Sequence, residues 1–341
     1  MSFEGWPTVL GHLSAGRDLT AEQARGAMSE ILDGAASPAQ IAGFVVALRM
    51  KGEAVPELDG LLQAMLAAAD RVELPPGAPV VDVVGTGGDR AHTINVSTLS
   101  ALVLAGAGGR VCKHGNRAAS SSAGSADVLE ALGVRIDCGP DEVARCVSEA
   151  GIGFCFAPRY HAAMRHAGPT RRELGIPTAF NILGPLANPA GASRLMIGVA
   201  DASMAERMAG VLAARGADRA LIVHGDDGLD ELTISTTSHV VELREGEVHG
   251  YVVDPRTLGI ELSPAESVVG GDPATNAALA RRVLDGEHGP HRDIVTLNAA
   301  AALVTAGLAA DLAEGVDAAR AAIDDGRAAA ALDRLVAVSN A

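Results

Sequence analysis

The chain has 341 residues, enough for one large core or two smaller ones. A formal charge of -15 and only 2% aromatic residues argue against a partner gripped through its nucleic-acid backbone or stacked on exposed rings. A small phosphate ligand stays open, because exposed charges are screened beyond about 8 Å at physiological salt.

The N-terminus, MSFEGWPTVLGHL, has no basic segment followed by an apolar one, and no apolar run reaches the ~18 residues of a membrane span. A soluble, cytoplasmic protein is the expectation. Residues 1–72 then read as helices only. Thr20 with Gln23, and Ser37 with Gln40, have capping-box spacing, and Pro38 suits a first helical turn. Ile41, Phe44, Val45 and Leu48 recur at helical spacing before Gly52, the expected stop. Pro56 opens a further segment with Leu61, Leu62, Met65 and Leu66. The region holds no titratable cluster, so a small helical domain or a dimer face is expected. Pro75–Pro79 is the expected boundary, dividing a helical domain over 1–74 from an α/β domain over 75–341. Part of 165–190 is a candidate return to the helical side.

From Val80 onward, short β-branched runs alternate with helical ones, the pattern of an α/β domain with a mostly parallel sheet. The expected strands are Val80–Val84, Arg110–Lys113, Val134–Ile136, Ile152–Phe156, Arg194–Val199 and Arg219–Val223. Helical stretches at Asp127–Leu132, Asp141–Ala150 and Met204–Ala214 lie between them. Ser238–Arg244 and Val248–Val253 flank Glu245-Gly246-Glu247 as a hairpin, and 272–339 is helical again. The four cysteines, Cys112, Cys138, Cys146 and Cys155, lack C-x-x-C spacing and read as packing residues.

Three loops carry candidate chemistry. After the first strand, Gly85, Gly87, Gly88 and Asp89 precede Thr93, Asn95, Ser97 and Thr98, which open an apolar helix-like run. Glycine amides beside a helix start form an anion cradle, although a purely structural turn fits equally well. The run lacks both G-x-G-x-x-G and G-K-[ST] spacing. After the second strand, Lys113-His114-Gly115-Asn116-Arg117 leads into a serine run, and Ser125 sits at the next helix start. Cations and amides at a strand's C-terminal end suit phosphate; a solvated loop is the alternative. Two such cradles imply a ligand with two separated phosphates. His114, His161 and His166 read as backbone-bonded rather than as acids or bases. The third loop, His224–Glu231, gathers four carboxylates, which with phosphates nearby favours Mg²⁺ over an exposed acidic loop. Arg171 can hold a carboxylate bidentately. Phe180–Pro189 is an apolar turn to which physics alone assigns no chemistry.

Together these stretches resemble the anthranilate phosphoribosyltransferase family. The matching blocks, in order, are GTGGD, NVST, KHGNRAASS, GSADVLEALG, RRELG, FNILGPLANP and HGDDGLDE. The resemblance implies a class III nucleoside-phosphorylase-like transferase fold: a small helical N-terminal domain plus a large α/β domain, usually as a homodimer. It implies Mg²⁺-dependent transfer of phosphoribosyl from phosphoribosyl pyrophosphate to anthranilate, with two magnesium ions and no membrane or nucleic-acid partner. The contacts it implies for phosphoribosyl pyrophosphate are Gly85, Gly88, Asp89, Thr93, Asn95, Val96, Ser97, Thr98, Lys113, His114, Gly115, Asn116, Arg117, Ala118, Ala119, Ser120, Ser121 and Ser125. For anthranilate it implies Gly85, Asn116 and Arg171, and for the metal Ser97, Asp230 and Glu231. No single nucleophile or base is implied. Arg90, Ser122-Ala123, Ala162 and Pro177 depart from the common family pattern, glycine being frequent at the first. A pyrimidine-nucleoside phosphorylase of this fold would lack the HGDDGLDE loop, and a nucleic-acid-binding relative fits poorly with the acidic balance.

Overall fold

The protein is described from a computed structural model over residues 3–118 and 122–341. Ala119, Ser120 and Ser121 lie outside the described residues. Four helices open the chain: α1 (Trp6–Ser14), α2 (Ala21–Leu32), α3 (Pro38–Lys51) and α4 (Val55–Ala67). Both capping boxes form. Thr20 Oγ1 accepts from the Gln23 amide at 3.2 Å while Gln23 Oε1 accepts from the Thr20 amide at 3.0 Å, and Ser37 with Gln40 repeats the pattern. Helix α1, which the caps did not delimit, follows Gly5 and has no side-chain cap.

The rest runs β1 (Val81–Gly85), α5 (Val96–Gly106), β2 (Val111–Gly115), α6 (Ser125–Ala131), α7 (Pro140–Ala150), β3 (Ile152–Phe156), α8 (Ala157–Tyr160), α9 (Gly168–Leu174), α10 (Ala179–Leu186), β4 (Arg194–Gly198), α11 (Ser203–Ala214) and β5 (Arg219–Gly225). The hairpin β6 (Ser238–Arg244) and β7 (Glu247–Val253) follows, then α12 (Pro273–Leu284), α13 (Pro290–Ala306), α14 (Leu312–Asp324) and α15 (Arg327–Ser339). The seven strands form one sheet in the order β3-β2-β1-β4-β5-β6-β7. The first five pair in parallel and the last two antiparallel.

The strands read as continuous apolar runs because both sheet faces are covered. Val81, Val83, Met196, Leu221 and Val223 point into a core shared with α5, α13, α14 and α15. Their alternates Val84, Leu195, Ile197, Ala220 and Ile222 point into a second core with the N-terminal helices and α11. That second core also takes Ala167, Phe180, Ile182, Leu183 and Leu186, so α10 and the turn before α9 pack with the N-terminal helices across a long sequence gap.

Val134–Ile136 is not a strand. Its alternating burial imitates one, but its backbone is used otherwise. The Arg135 amide donates to Ser339 Oγ at 3.1 Å, and Val134 bonds back to Leu129. The segment is a strap under the C-terminal helix, and β3 stays the sheet's edge.

Candidate active site

The sheet's connections reverse at its centre. From β1 the chain moves to β2 and β3 on one side, and returns to β4 on the other. Open α/β sheets bind ligands in the crevice at such a point. Gly85 and Gly198 end the two strands in register. The loop after β5 folds back over both. A Cβ on Gly198 would lie 1.6 Å from the Asp230 backbone oxygen, and one on Gly85 would lie 2.6 Å from Asp230 Oδ2. At Gly198, where the clash is with backbone, only glycine leaves room for that loop.

The turn after β1 aims its backbone at the same carboxylate. Gly87, at φ 66°, donates its N–H to Asp230 Oδ2 at 2.7 Å, and Gly88 follows at φ 90°. Arg90 and His92 also lie in the left-handed region, at φ 62° and 54°. Glycine takes that backbone without strain, so Arg90 and His92 hold a conformation that side chains disfavour. One residue further into the loop, Glu231 Oε1 accepts the Ser97 amide at 3.0 Å, in the first turn of α5 where the helix dipole favours negative charge. The other two carboxylates of this loop are spent locally. Asp226 holds Thr237 and His239, and Asp227 holds Thr233 Oγ1 at 2.6 Å. The acidic loop thus resolves into a structural pair and a facing pair.

Burial makes the facing pair expensive as anions. It pushes Glu231 up to about 8 against the pull of Lys113, and it raises Asp230 strongly, with Glu231 and Asp89 adding repulsion. Lys113 is itself buried, donating to Val83 O and, at 3.2 Å, to Ser97 Oγ. Two carboxylates and the Ser97 hydroxyl form an oxygen-only donor set. Among the described residues, no three His, Cys, Asp or Glu side chains gather into a complete metal cage. This set fits Mg²⁺, which uses one or two carboxylates and fills its remaining positions with water and substrate phosphate.

At the end of the neighbouring strand, Gly115 is pressed against Ser125, whose Oγ donates to Asn116 O at 3.2 Å. The amides of Ala118 and Gly124 both donate to Asp127 Oδ2 at 2.9 Å. Arg117 is held by Asp127 and Glu130 at 2.8 Å and lies 5.6 Å from the Phe156 ring. Its charge is therefore already balanced. Thr93 bridges Val269, while Val96 and Thr98 are buried on α5. His114 packs 5.2 Å from His161 and is pushed down to about 3, chiefly by burial, so it stays neutral. His161 Nε2 meets Ala187 O at 2.8 Å. The Arg171 guanidinium stacks 4.9 Å above Phe180, its pKa lowered by burial, and forms no ion pair among the described residues.

The motif reading missed Gly198, Asp82 and Asn188. Asp82 is fully buried in β1 and accepts the His114 amide at 3.0 Å and Asn188 Nδ2 at 2.7 Å. Asn188 also donates to Cys112 O at 2.8 Å, so the end of the apolar Phe180–Pro189 stretch is pinned to the sheet. Two of the three had a signal: Asp82 as a carboxylate inside an apolar strand, and Gly198 as a lone glycine at a strand end.

Burial pushes Asp82 up to about 6 from its ordinary 3.8. A raised carboxyl contributes stability that is full below about pH 4 and lost as pH rises through 6. The stability margin of the wild type over Asp82→Asn should therefore shrink by about 2–3 kcal/mol between pH 4 and pH 7. Urea unfolding of both proteins at the two pH values checks this; a constant margin would show that Asp82 titrates normally.

Residues 77–329 match the family model described as "Glycosyl transferase family, a/b domain", and residues 7–69 match "Glycosyl transferase family, helical bundle domain". Fold and site thus define a glycosyl transferase built on a mostly parallel sheet. The chain is 54% identical to an anthranilate phosphoribosyltransferase of Salinispora arenicola, covering 98% of this chain and 97% of the relative. The Thermus thermophilus anthranilate phosphoribosyltransferase crystal structure superposes with a TM-score of 0.92 at 44% identity, over 98% of this chain and 99% of that one. The Saccharomyces cerevisiae enzyme in complex with phosphoribosyl pyrophosphate and Mg gives a TM-score of 0.89 at 26% identity, over 98% of each chain. Within the glycosyl transferases, this chain belongs to the anthranilate phosphoribosyltransferase family.

Proposed function

We propose that the chain transfers the phosphoribosyl group of phosphoribosyl pyrophosphate to the amine of anthranilate, releasing pyrophosphate in a step of tryptophan synthesis. One observation carries the reading: Asp230 and Glu231, fixed at the β1–β4 junction by amides from the glycine turn and from α5. Gly85, Gly88, Asp89, Thr93 and 95–98 serve the pyrophosphate side. Lys113 to Ser121 and Ser125 serve the ribose phosphate, and Gly85, Asn116 and Arg171 receive anthranilate. Ser97, Asp230 and Glu231 would hold magnesium, two ions in all, which when bound offsets the charge of the departing pyrophosphate.

The amine of anthranilate is unprotonated at neutral pH, so its lone pair forms the new bond to the anomeric carbon without prior deprotonation. The bond to pyrophosphate breaks, its electron pair leaves with that group, and the nitrogen sheds its proton to solvent. Positioning and fixed dipoles are what the chain supplies. Lys113 is occupied by Val83 O and Ser97, His114 packs against His161, and no side chain is given the part of a nucleophile. The two units, 1–74 with part of 165–190 and 75–341, form the family's helical and α/β domains. The chain works in the cytoplasm as a homodimer, which sedimentation at twice the chain mass would support and a monomer would contradict.

Loss of anthranilate fluorescence on mixing with phosphoribosyl pyrophosphate and Mg²⁺, absent without the metal, tests the reaction. No consumption of anthranilate would overturn it. Arg171→Ala removes a charge-assisted contact of about 1.5–3 kcal/mol, or about one to two decades in anthranilate affinity. Phosphoribosyl pyrophosphate affinity should change far less. An equal loss for both substrates, read by titration calorimetry, would count against this role.

A further inference from the structure

Asn276 lies on α12, outside every motif singled out above, and is 2% exposed. Its Oδ1 accepts the Gly271 amide at 2.7 Å. Its Nδ2 must therefore face the other way, and it donates to Asn95 Oδ1 at 2.9 Å. That contact sets the second amide in turn. With its oxygen taken, Asn95 presents Nδ2 to Ala123 O at 3.0 Å. Asn95 is the residue before α5, where a side-chain oxygen usually caps its own helix, yet it makes no such bond here.

The relay reaches three segments. Behind Asn276, the 268–271 loop pairs with the strained turn: Ile94 N donates to Val268 O at 3.0 Å, and Gly270 N donates to His92 O at 2.8 Å. A Cβ on Gly270 would lie 2.4 Å from Asn276 Oδ1, so the loop is built around this amide. In front are the start of α5, which holds Glu231, and the 122–124 segment leading into α6, which carries Ser125.

We infer that Asn276 is a positioning residue. Acting through Asn95, it sets the spacing between the two strand-end cradles and thereby the grip on a doubly phosphorylated sugar, not on the amine. This rests on the function proposed above for those cradles. A two-amide relay in which each oxygen accepts and each nitrogen donates holds one arrangement, and its members act as a unit.

The test is a double-substitution cycle on the full chain. Asn276→Ala should raise the KM for phosphoribosyl pyrophosphate about tenfold, the worth of one such bond, and leave the KM for anthranilate within about twofold. In an Asn95→Ala background, Asn276→Ala should add less than about twofold. In the absence of substrate, hydrogen exchange should quicken about tenfold at the amides of 94–97 and 123–126 in either single variant, with nothing further in the double. Should Asn276→Ala not fold, Asn276→Asp keeps the acceptor for Gly271, loses the donor to Asn95, and carries the same expectation. Equal rises in both KM values, multiplying effects in the double, or lowered stability with an unchanged sugar KM would each overturn the inference. An inactive wild type would instead count against the proposed reaction, and exchange alone would then decide the relay.

Discussion

Gly198→Ala is expected to destroy the magnesium-dependent reaction and to destabilise the chain, although it adds one methyl group to a residue in none of the motifs. The added Cβ would sit 1.6 Å from the backbone oxygen of Asp230 and 2.5 Å from its carbonyl carbon, so backbone, not a pliable side-chain end, must move. The loop has nowhere to go. On one side, Leu229 is buried and its carbonyl accepts the Gly225 amide at 2.9 Å. On the other, the Leu232 amide donates to Asn298 Oδ1 at 2.9 Å, and Leu232 O accepts from Asn298 Nδ2 at 2.8 Å. Overpacking of this kind costs about 1–3 kcal/mol and occasionally more. A displacement of about 1 Å in a reacting constellation costs roughly 10²-fold in rate. Gly85→Ala provides the contrast. Its Cβ would meet the Asp230 carboxylate oxygen at 2.6 Å, an atom that rotates, so stability should change little while more Mg²⁺ is needed for half-maximal rate. Wild-type melting and magnesium dependence in Gly198→Ala would show that the loop does not rest on this strand end.

The contrast also shows what could be read from the letters. Period-two and period-3.6 patterns sufficed for most strands, because burial on two sheet faces writes itself into one dimension, and S/T-x-x-Q spacing sufficed for the two capping boxes. The patterns failed at Val134–Ile136, where alternating burial arises from a strap whose amides bond to Ser339 and Leu129. Glycine turns and clustered charge located the strand-end loops. They could not separate Asp230 and Glu231 from Asp226 and Asp227, because that division depends on Thr233, Thr237 and His239 folding back. Arg117 reads as a free cation until Asp127 and Glu130 are seen sharing its charge. Gly198 and Asn276 act by close approach to residues far away in sequence, and no local pattern encodes such a distance.

The division within the acidic loop leads to the second large effect. Glu231→Gln keeps the shape of the side chain and an oxygen for the Ser97 amide, and removes only the charge. Without metal, that charge is a liability: burial pushes Glu231 up to about 8 from its ordinary 4.5. A raised carboxyl contributes stability that is fully present below its unfolded value and lost as pH rises through 8. The metal-free variant should therefore melt above the wild type by a margin that widens from pH 5 to pH 8 and then levels. With substrate, the order of merit inverts. A carboxylate supporting a catalytic cation supplies several kcal/mol of charge stabilisation, so its loss should lower kcat/KM roughly 10²–10³-fold. Adding Mg²⁺ with phosphoribosyl pyrophosphate should raise the melting temperature of the wild type much more than that of the variant. Melting curves across pH, with and without those two ligands, read both halves at once. If the variant tracks the wild type at every pH, Glu231 is not held against its charge. If it keeps magnesium-dependent turnover within threefold, the carboxylate has no part in the reaction. The expected combination, a gain in metal-free stability with a loss of turnover, is what a buried carboxylate retained for a cation must produce, because any group that fills the same space without charge serves the fold better.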